Sequence, residues 1–209
     1  MKITDAEKAY RQIKEQIVTT QLPPGVVISE ADMMSELELG RTPIREAMKQ
    51  LEADNLVTIT PRRGMFVTNI TVTDLTQIFE VRVEIEPLAV RLATQRITQK
   101  ELAQLRGLAE KYRDADLTDT EALLKLDCDF HVLLAEAAHN KFLLKDMMHY
   151  YNLSLRIWYL ALNYAQPDDI DMEAHLEILE AIEAMDVKKA EKRMKKHIQK
   201  FHRTIKQYL

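Results

Sequence analysis

The stretch SELELGRTPIREAMK, residues 35–49, decides how the first third of this chain is read. It describes a short tight turn followed by a helix. Ile44, Ala47, Met48 and Leu51 recur at core spacing along one face, while Arg41, Arg45 and Lys49 recur every four residues along the other. A helix buried on one side and lined with cations on the other suits the major groove of duplex DNA. Guanidinium groups grip phosphates and also reach the paired acceptors on guanine edges. Arg41, Thr42, Arg45 and Lys49 are therefore the candidate DNA contacts of this helix.

Outward from that helix, the flanking residues complete a known arrangement. Thr4-x-x-Glu7 is a capping box, and Ala6, Ala9, Tyr10, Ile13 and Ile17 then keep helical period until Leu22-Pro23-Pro24-Gly25 ends the helix. Ser29-x-x-Asp32 opens a second, short helix through Met33, Met34 and Leu37. Pro43 marks the first turn of the third helix, where its missing N–H costs nothing, and that helix runs to about Asp54 or Asn55. Val57–Thr60 and Met65–Thr68 read as two strands joined by Pro61-Arg62-Arg63-Gly64. Three helices and a hairpin make a winged helix-turn-helix over residues 1–70, with Arg62, Arg63 and Gly64 at a basic wing tip.

Bulk composition does not announce this. The chain has 209 residues and a formal net charge of −4, and residues 1–70 carry 9 Lys+Arg against 10 Asp+Glu. The DNA reading rests on where the positive charges sit. With 46% hydrophobic residues, 4 Gly and 6 Pro, the composition points to a compact, mainly helical protein. One cysteine, Cys128, excludes an internal disulfide and fits a reducing cytoplasm. No apolar run approaches the roughly 18 residues of a membrane span, and the start MKITDAEKAY has no signal-peptide core. The expectation is a soluble cytoplasmic protein without membrane association.

From residue 71 to 209 strand signals vanish, and long amphipathic helices follow one another with short breaks. Capping boxes recur at Thr98-x-x-Glu101 and Thr118-x-x-Glu121, and Asp186 can cap the last helix. Breaks fall near residues 94–98, 114–118, 138–140, 166–169 and 185–187. This predicts an all-α bundle of six helices, or seven if Pro87 splits the first.

Three of those helices point ionisable groups inward. Asp127 and His131 stand one turn apart on a helix carrying Leu123, Leu124, Phe130 and Leu134. His175 lies within the stripe Met172, Leu179, Ile182, and His197 within Ala190, Met194, Phe201, Ile205. Burying such groups is costly without a partner. A divalent ion offsets that cost, because one Asp and three His supply donors that zinc, nickel, manganese or iron accept. Taken singly, each histidine reads as a satisfied core residue; the convergence of three helices favours the ion. His139, His149 and His202 read as surface groups. Arg82, between Ile78 and Ile85, is a candidate to grip an effector carboxylate, with an internal salt bridge to Glu84, Glu86 or a neighbouring helix as the alternative. Asn152, Arg156, Tyr159 and Asn163 form a polar line that reads as a solvated face, with Arg156 kept as a second effector candidate.

These residues resemble a family. LGRTPIREAMKQLEADNLVTITPRRGMFV, residues 39–67, is similar to the winged-helix signature of the GntR family of bacterial transcription regulators. VRVEIEPLAVRLA, LDCDFHVLLAEAAHN, AHLEILEAI and MKKHI resemble the all-helical effector domain, called FCD, of its FadR subfamily, in a VanR-like group. The resemblance implies that Arg41 and Arg45 contact DNA, that Gly64 approaches the backbone, and that Asp127, His131, His175 and His197 hold a metal, zinc or nickel being commonest. It also implies a small organic-acid effector beside that metal with Arg82 as its partner, and a homodimer that represses genes by binding a palindromic operator. Glu38, Gly40 and Ala31 depart from the family pattern, where Gly, Ser and a basic residue are usual. The rival readings are a metal-dependent hydrolase-like enzyme and a regulator that senses the metal itself. No residue stands where a hydrolase would need its general base, since Glu136 is five residues from His131 and points elsewhere.

Overall fold

In the computed structural model, residues 3–161 and 171–208 are described. The expected break at 166–169 and Asn163 lie outside them. The chain divides into two compact units: residues 1–71 together with Leu155–Leu160, and residues 72–154 together with 161–209.

The first unit holds helices α1 (Asp5–Val18), α2 (Glu30–Leu37) and α3 (Arg41–Ala53), with strands β1 (Val27–Ile28), β2 (Val57–Thr60) and β3 (Gly64–Val67). Thr4 Oγ1 accepts from the Glu7 N–H and starts α1; Ser29 does the same for α2 through the Asp32 N–H. Ala9, Ile13 and Ile17 of α1 and Ile44, Ala47 and Leu51 of α3 are completely buried where these helices pack together. Each such aliphatic side chain larger than alanine contributes about 1.5–3 kcal/mol by leaving water. The Tyr10 hydroxyl donates to Asp54 Oδ2 at 2.5 Å and ties α1 to the end of α3. The expected hairpin is present but sits in a three-stranded antiparallel sheet of order β1-β3-β2, with Val57 opposite Val67 and Thr60 opposite Gly64. β1 escaped sequence reading because two residues carry no alternation to detect.

Among the described residues, all the regular elements after residue 71 are helices: α4 (Val72–Arg96), α5 (Gln99–Asp114), α6 (Thr120–Ala137), α7 (Lys141–Ala161), whose residues 155–160 group with the first unit, α8 (Met172–Glu183) and α9 (Val187–Ile205). Six helices are therefore seen, because Pro87 lies inside α4 without dividing it. α4 packs along α9 and α6, and α8 along α9 and α5, around a core that includes Val90, Leu105, Phe130, Leu134, Ile178, Met194 and Ile198. The Thr98–Glu101 capping box forms in full. The box expected at Thr118 does not: Asp119 caps α6 by accepting from the Ala122 N–H at 3.0 Å, while Thr118 turns back to Asp116. Both residues can cap, and the Asp116 turn decides between them. His202, expected at the surface, is half-buried and stacks on Phe79 with ring centroids 4.1 Å apart. No helix among the described residues is long and apolar enough to cross a membrane.

The departure at Glu38 has a structural cost. This exposed residue ends α2 with φ 54° and ψ 39°, the left-handed region in which a Cβ crowds the backbone. Gly40, which caps α3 without a side-chain hydrogen bond, is a milder loss. Glu38→Gly is expected to stabilise the first unit by about 0.5–1 kcal/mol, the relief of strain exceeding the extra freedom of glycine in the unfolded chain. A urea unfolding midpoint that falls in this variant contradicts the strain at position 38.

Candidate functional site

Two sites emerge, one in each unit. In the first, the residues chosen from sequence all face solvent: Arg41, Thr42, Arg45 and Lys49 on α3, and Arg62, Arg63 and Gly64 at the wing. The amphipathic period of α3 achieves this, burying Ile44, Ala47, Met48 and Leu51 and turning the cations outward. A groove between α3 and the wing is lined by Arg45, Lys49, Arg62 and Gly64, and it also includes Glu30. Its wing rim is a turn closed by the Arg63 N–H to the Thr60 carbonyl at 3.1 Å, with Arg62 at φ 66° and Gly64 at φ 108°. A Cβ on Gly64 would meet nothing within 4 Å, so glycine serves the backbone conformation there and not a tight contact.

Sequence reasoning passed over Glu30. Its carboxylate lies 3.2 Å from Arg45 Nε and 3.9 Å from Arg41 Nε. The two residues come from a neighbouring helix, and no local spacing signals the pairing. With both arginine side chains largely exposed, such pairs contribute little to stability. They orient the guanidinium groups and leave them free to exchange partners.

In the second unit, α6, α8 and α9 bring Asp127, His131, His175 and His197 together so that one donor atom from each lies within 4.8 Å of all the others. All three histidines are buried. His131 Nε2 is 3.3 Å from His197 Nε2, and Asp127 Oδ1 is 3.1 Å from His175 Nε2 and 3.8 Å from His131 Nε2. His175 Nε2 has no aligned hydrogen bond despite that short approach, so it faces the middle of the group unsatisfied. Phe130 and Tyr112 wall the His175 ring, at centroid distances of 4.6 and 5.4 Å.

The electrostatics suit ligands. Burial lowers the pKa of His197 well below the usual imidazole range, and the neighbouring His175 and His131 add to that, so its ring is neutral with a lone pair to give. Burial opposes the charge on Asp127, but the histidines around it outweigh burial and hold its carboxyl well below the ordinary range. Its second oxygen is already engaged: Tyr151 of α7 donates its hydroxyl to Oδ2 at 2.5 Å, leaving Oδ1 toward the histidines. The adjacent Cys128 thiol is pushed up to about 12, first by burial and then by Asp127 and Asp129, so it stays protonated and offers no thiolate.

Arg82 and Glu86 of α4 stand behind this group, both buried. Arg82 Nε donates to Glu86 Oε1, which realises the internal salt bridge kept as the alternative reading. The guanidinium also lies over the rings of Phe201 and Tyr151, at 4.9 and 5.2 Å from their centroids. Its Nη1 is buried with no hydrogen-bond partner among the described residues. Arg156 does not join this site. It groups with the first unit, is buried, and donates from Nη2 to the Thr68 carbonyl at 2.5 Å, so the solvated face expected there is corrected. Glu86 and Tyr151 were not singled out as supports of the site, although a tyrosine within the buried stripe Met147, Tyr151, Leu155, Trp158 always needs a home for its hydroxyl.

Comparison with known proteins matches residues 5–67 to the family of bacterial regulatory proteins called gntR, and residues 77–200 to the FCD domain. The chain belongs to the GntR family, with an FCD domain. It is a DNA-binding transcription regulator, and relatives carry that description. The chain is 32% identical to the Nta operon transcriptional regulator of Aminobacter aminovorans over 161 residues, 77% of this chain and 75% of that one. It is 26% identical to the HTH-type transcriptional repressor RspR of Escherichia coli over 202 residues, 96% of this chain and 89% of that one. Among solved structures, E. coli McbR/YncC shares the fold with a TM-score of 0.89 at 21% identity, covering 99% of both chains. In a GntR regulator the groove between α3 and the wing belongs to the DNA-binding domain, and the FCD domain is the seat of a small-molecule effector.

Arg45→Ala is expected to abolish sequence-specific DNA binding while circular dichroism and the unfolding midpoint stay unchanged, because this side chain is exposed and buries no core. A footprint identical to that of the wild type contradicts the assignment of α3 as the reading helix.

Proposed function

We propose that this regulator is a repressor whose FCD domain holds a divalent metal and responds to a small carboxylate metabolite. The observation that carries the reading is the buried group of Asp127, His131, His175 and His197, whose donor atoms lie within 4.8 Å of one another. Unsatisfied ring nitrogens inside a bundle cost about 1–3 kcal/mol each. Three imidazole nitrogens and one carboxylate oxygen fit zinc or nickel, and manganese or iron as well.

These four residues would hold the ion, which when bound supplies a Lewis-acidic centre for oxygen ligands of an effector. The remaining work falls to the chain. Tyr151 keeps Asp127 to a single free oxygen, and Phe130 and Tyr112 exclude water from the His175 side. Arg82, held by Glu86, keeps Nη1 as a buried donor with no partner among the described residues, which suits a carboxylate arriving at this end of the site. Arg156 is not part of this proposal.

On the DNA side, Arg41, Thr42, Arg45 and Lys49 read the major groove while Arg62, Arg63 and Gly64 lie along the backbone. A homodimer on a palindromic operator places two such helices about one DNA turn apart. Repression finds support in RspR, which carries that description. The effector lowers operator affinity only by as much as it prefers the conformation that binds DNA poorly.

His175→Ala is expected to lower bound metal in purified protein to well below one ion per chain, as read by elemental analysis. Full occupancy in that variant defeats the proposed ligand set. Stripping the metal with a chelator is expected to lower the melting temperature, since an ion that binds only the folded state stabilises it by mass action. A melting curve unmoved by chelation counts against a resident ion.

A further inference from the structure

Glu86 is completely buried, and each of its two oxygens has a different neighbour. Oε1 accepts from Arg82 Nε. Oε2 stands 2.8 Å from Nδ1 of His131. That approach is close but turned off the hydrogen-bond axis, and neither atom has any other partner among the described residues. The other nitrogen of the same ring, Nε2, points the opposite way, 3.3 Å from His197 Nε2 and 3.8 Å from Asp127 Oδ1. The His131 ring thus spans from the carboxylate of α4 to the centre of the donor group. Among the described residues, the buried Nδ1 atoms of His175 and His197 have no such support.

We propose that Glu86 is the positioning residue of the metal centre: its Oε2 accepts a hydrogen bond from the Nδ1–H of His131, the proton staying on the ring, so that Nε2 is the lone-pair donor turned to the ion. Arg82 holds the carboxylate from its far side through Nε, so its influence on His131 runs through Glu86. An outer carboxylate of this kind selects the imidazole tautomer, fixes the ring plane and raises its basicity. It also makes His131 the best-anchored of the three imidazoles. A buried carboxylate could instead serve only to neutralise Arg82, and that role differs in its consequences. Charge balance is restored when both residues are removed together, whereas the support of His131 is not. The proposal rests on the metal reading above.

The test is zinc affinity of the full-length protein, measured by competition with a chromophoric chelator, alongside the visible absorption spectrum of the cobalt-loaded protein. Glu86→Gln is expected to weaken zinc binding on the order of 10- to 100-fold and to alter the cobalt bands. The charge-balanced double variant Arg82→Met/Glu86→Met is expected to show a comparable loss, with helical content by circular dichroism as in the wild type. Wild-type affinity in Glu86→Gln, or its recovery in the double variant, overturns the positioning role and leaves the metal reading intact. A wild-type protein that binds neither zinc nor cobalt overturns both.

Discussion

Three imidazoles and a carboxylate crowd together inside a helical bundle whose other interior residues are almost all aliphatic or aromatic. Nothing in the hydrophobic effect asks for this, and burial alone works against it. The second unit is built around the concession. α6 contributes Asp127 and His131, α8 His175 and α9 His197, while α4 and α7 stand behind them with Glu86 and Tyr151. Five of the six helices thus have a polar anchor at one point, and the apolar packing of Phe130, Leu134, Ile178 and Met194 surrounds it. The first unit shows the opposite economy: apart from the buried Arg156, its candidate functional cations are outside, and its chemistry lies in the geometry of one exposed face.

Much of this was legible in the sequence, for identifiable reasons. Helical period is a strong signal over a dozen residues, so the buried Ile44, Ala47, Met48 and Leu51 and the exposed Arg41, Arg45 and Lys49 separate cleanly. Histidines at stripe positions of three helices are rare enough to be read together, and the structure does bring them together with Asp127. The supporting residues were harder. Arg82 and Glu86 are an i, i+4 pair, and such pairs form for purely local reasons. Tyr151 looks like any aromatic of a core stripe. Their roles depend on which neighbouring helix lies opposite, and spacing along one chain does not encode that.

The same limit explains the smaller differences. Thr118 and Asp119 are both competent caps, and the hydrogen bonds of Thr118 to Asp116 leave the task to Asp119. Arg156 sits in a line of polar residues that resembles a wet helix face, yet it is buried with its guanidinium on the Thr68 carbonyl. Glu30 pairs with Arg45 across two helices. The last two cases turn on tertiary contacts that outweigh a correct local rule, and the first on a competing local turn.

Cys128 follows Asp127 on α6, yet among the described residues its sulfur is not one of the donor atoms that lie together. The group consists of imidazole nitrogen and carboxylate oxygen, a mixture of intermediate hardness. Such a mixture ranks the late divalent ions by the general Irving–Williams trend and carries no sharp preference of its own. For an ion held as proposed, identity is then a matter of supply: the abundance and buffering of each metal in the surroundings decide, and the fold only accepts.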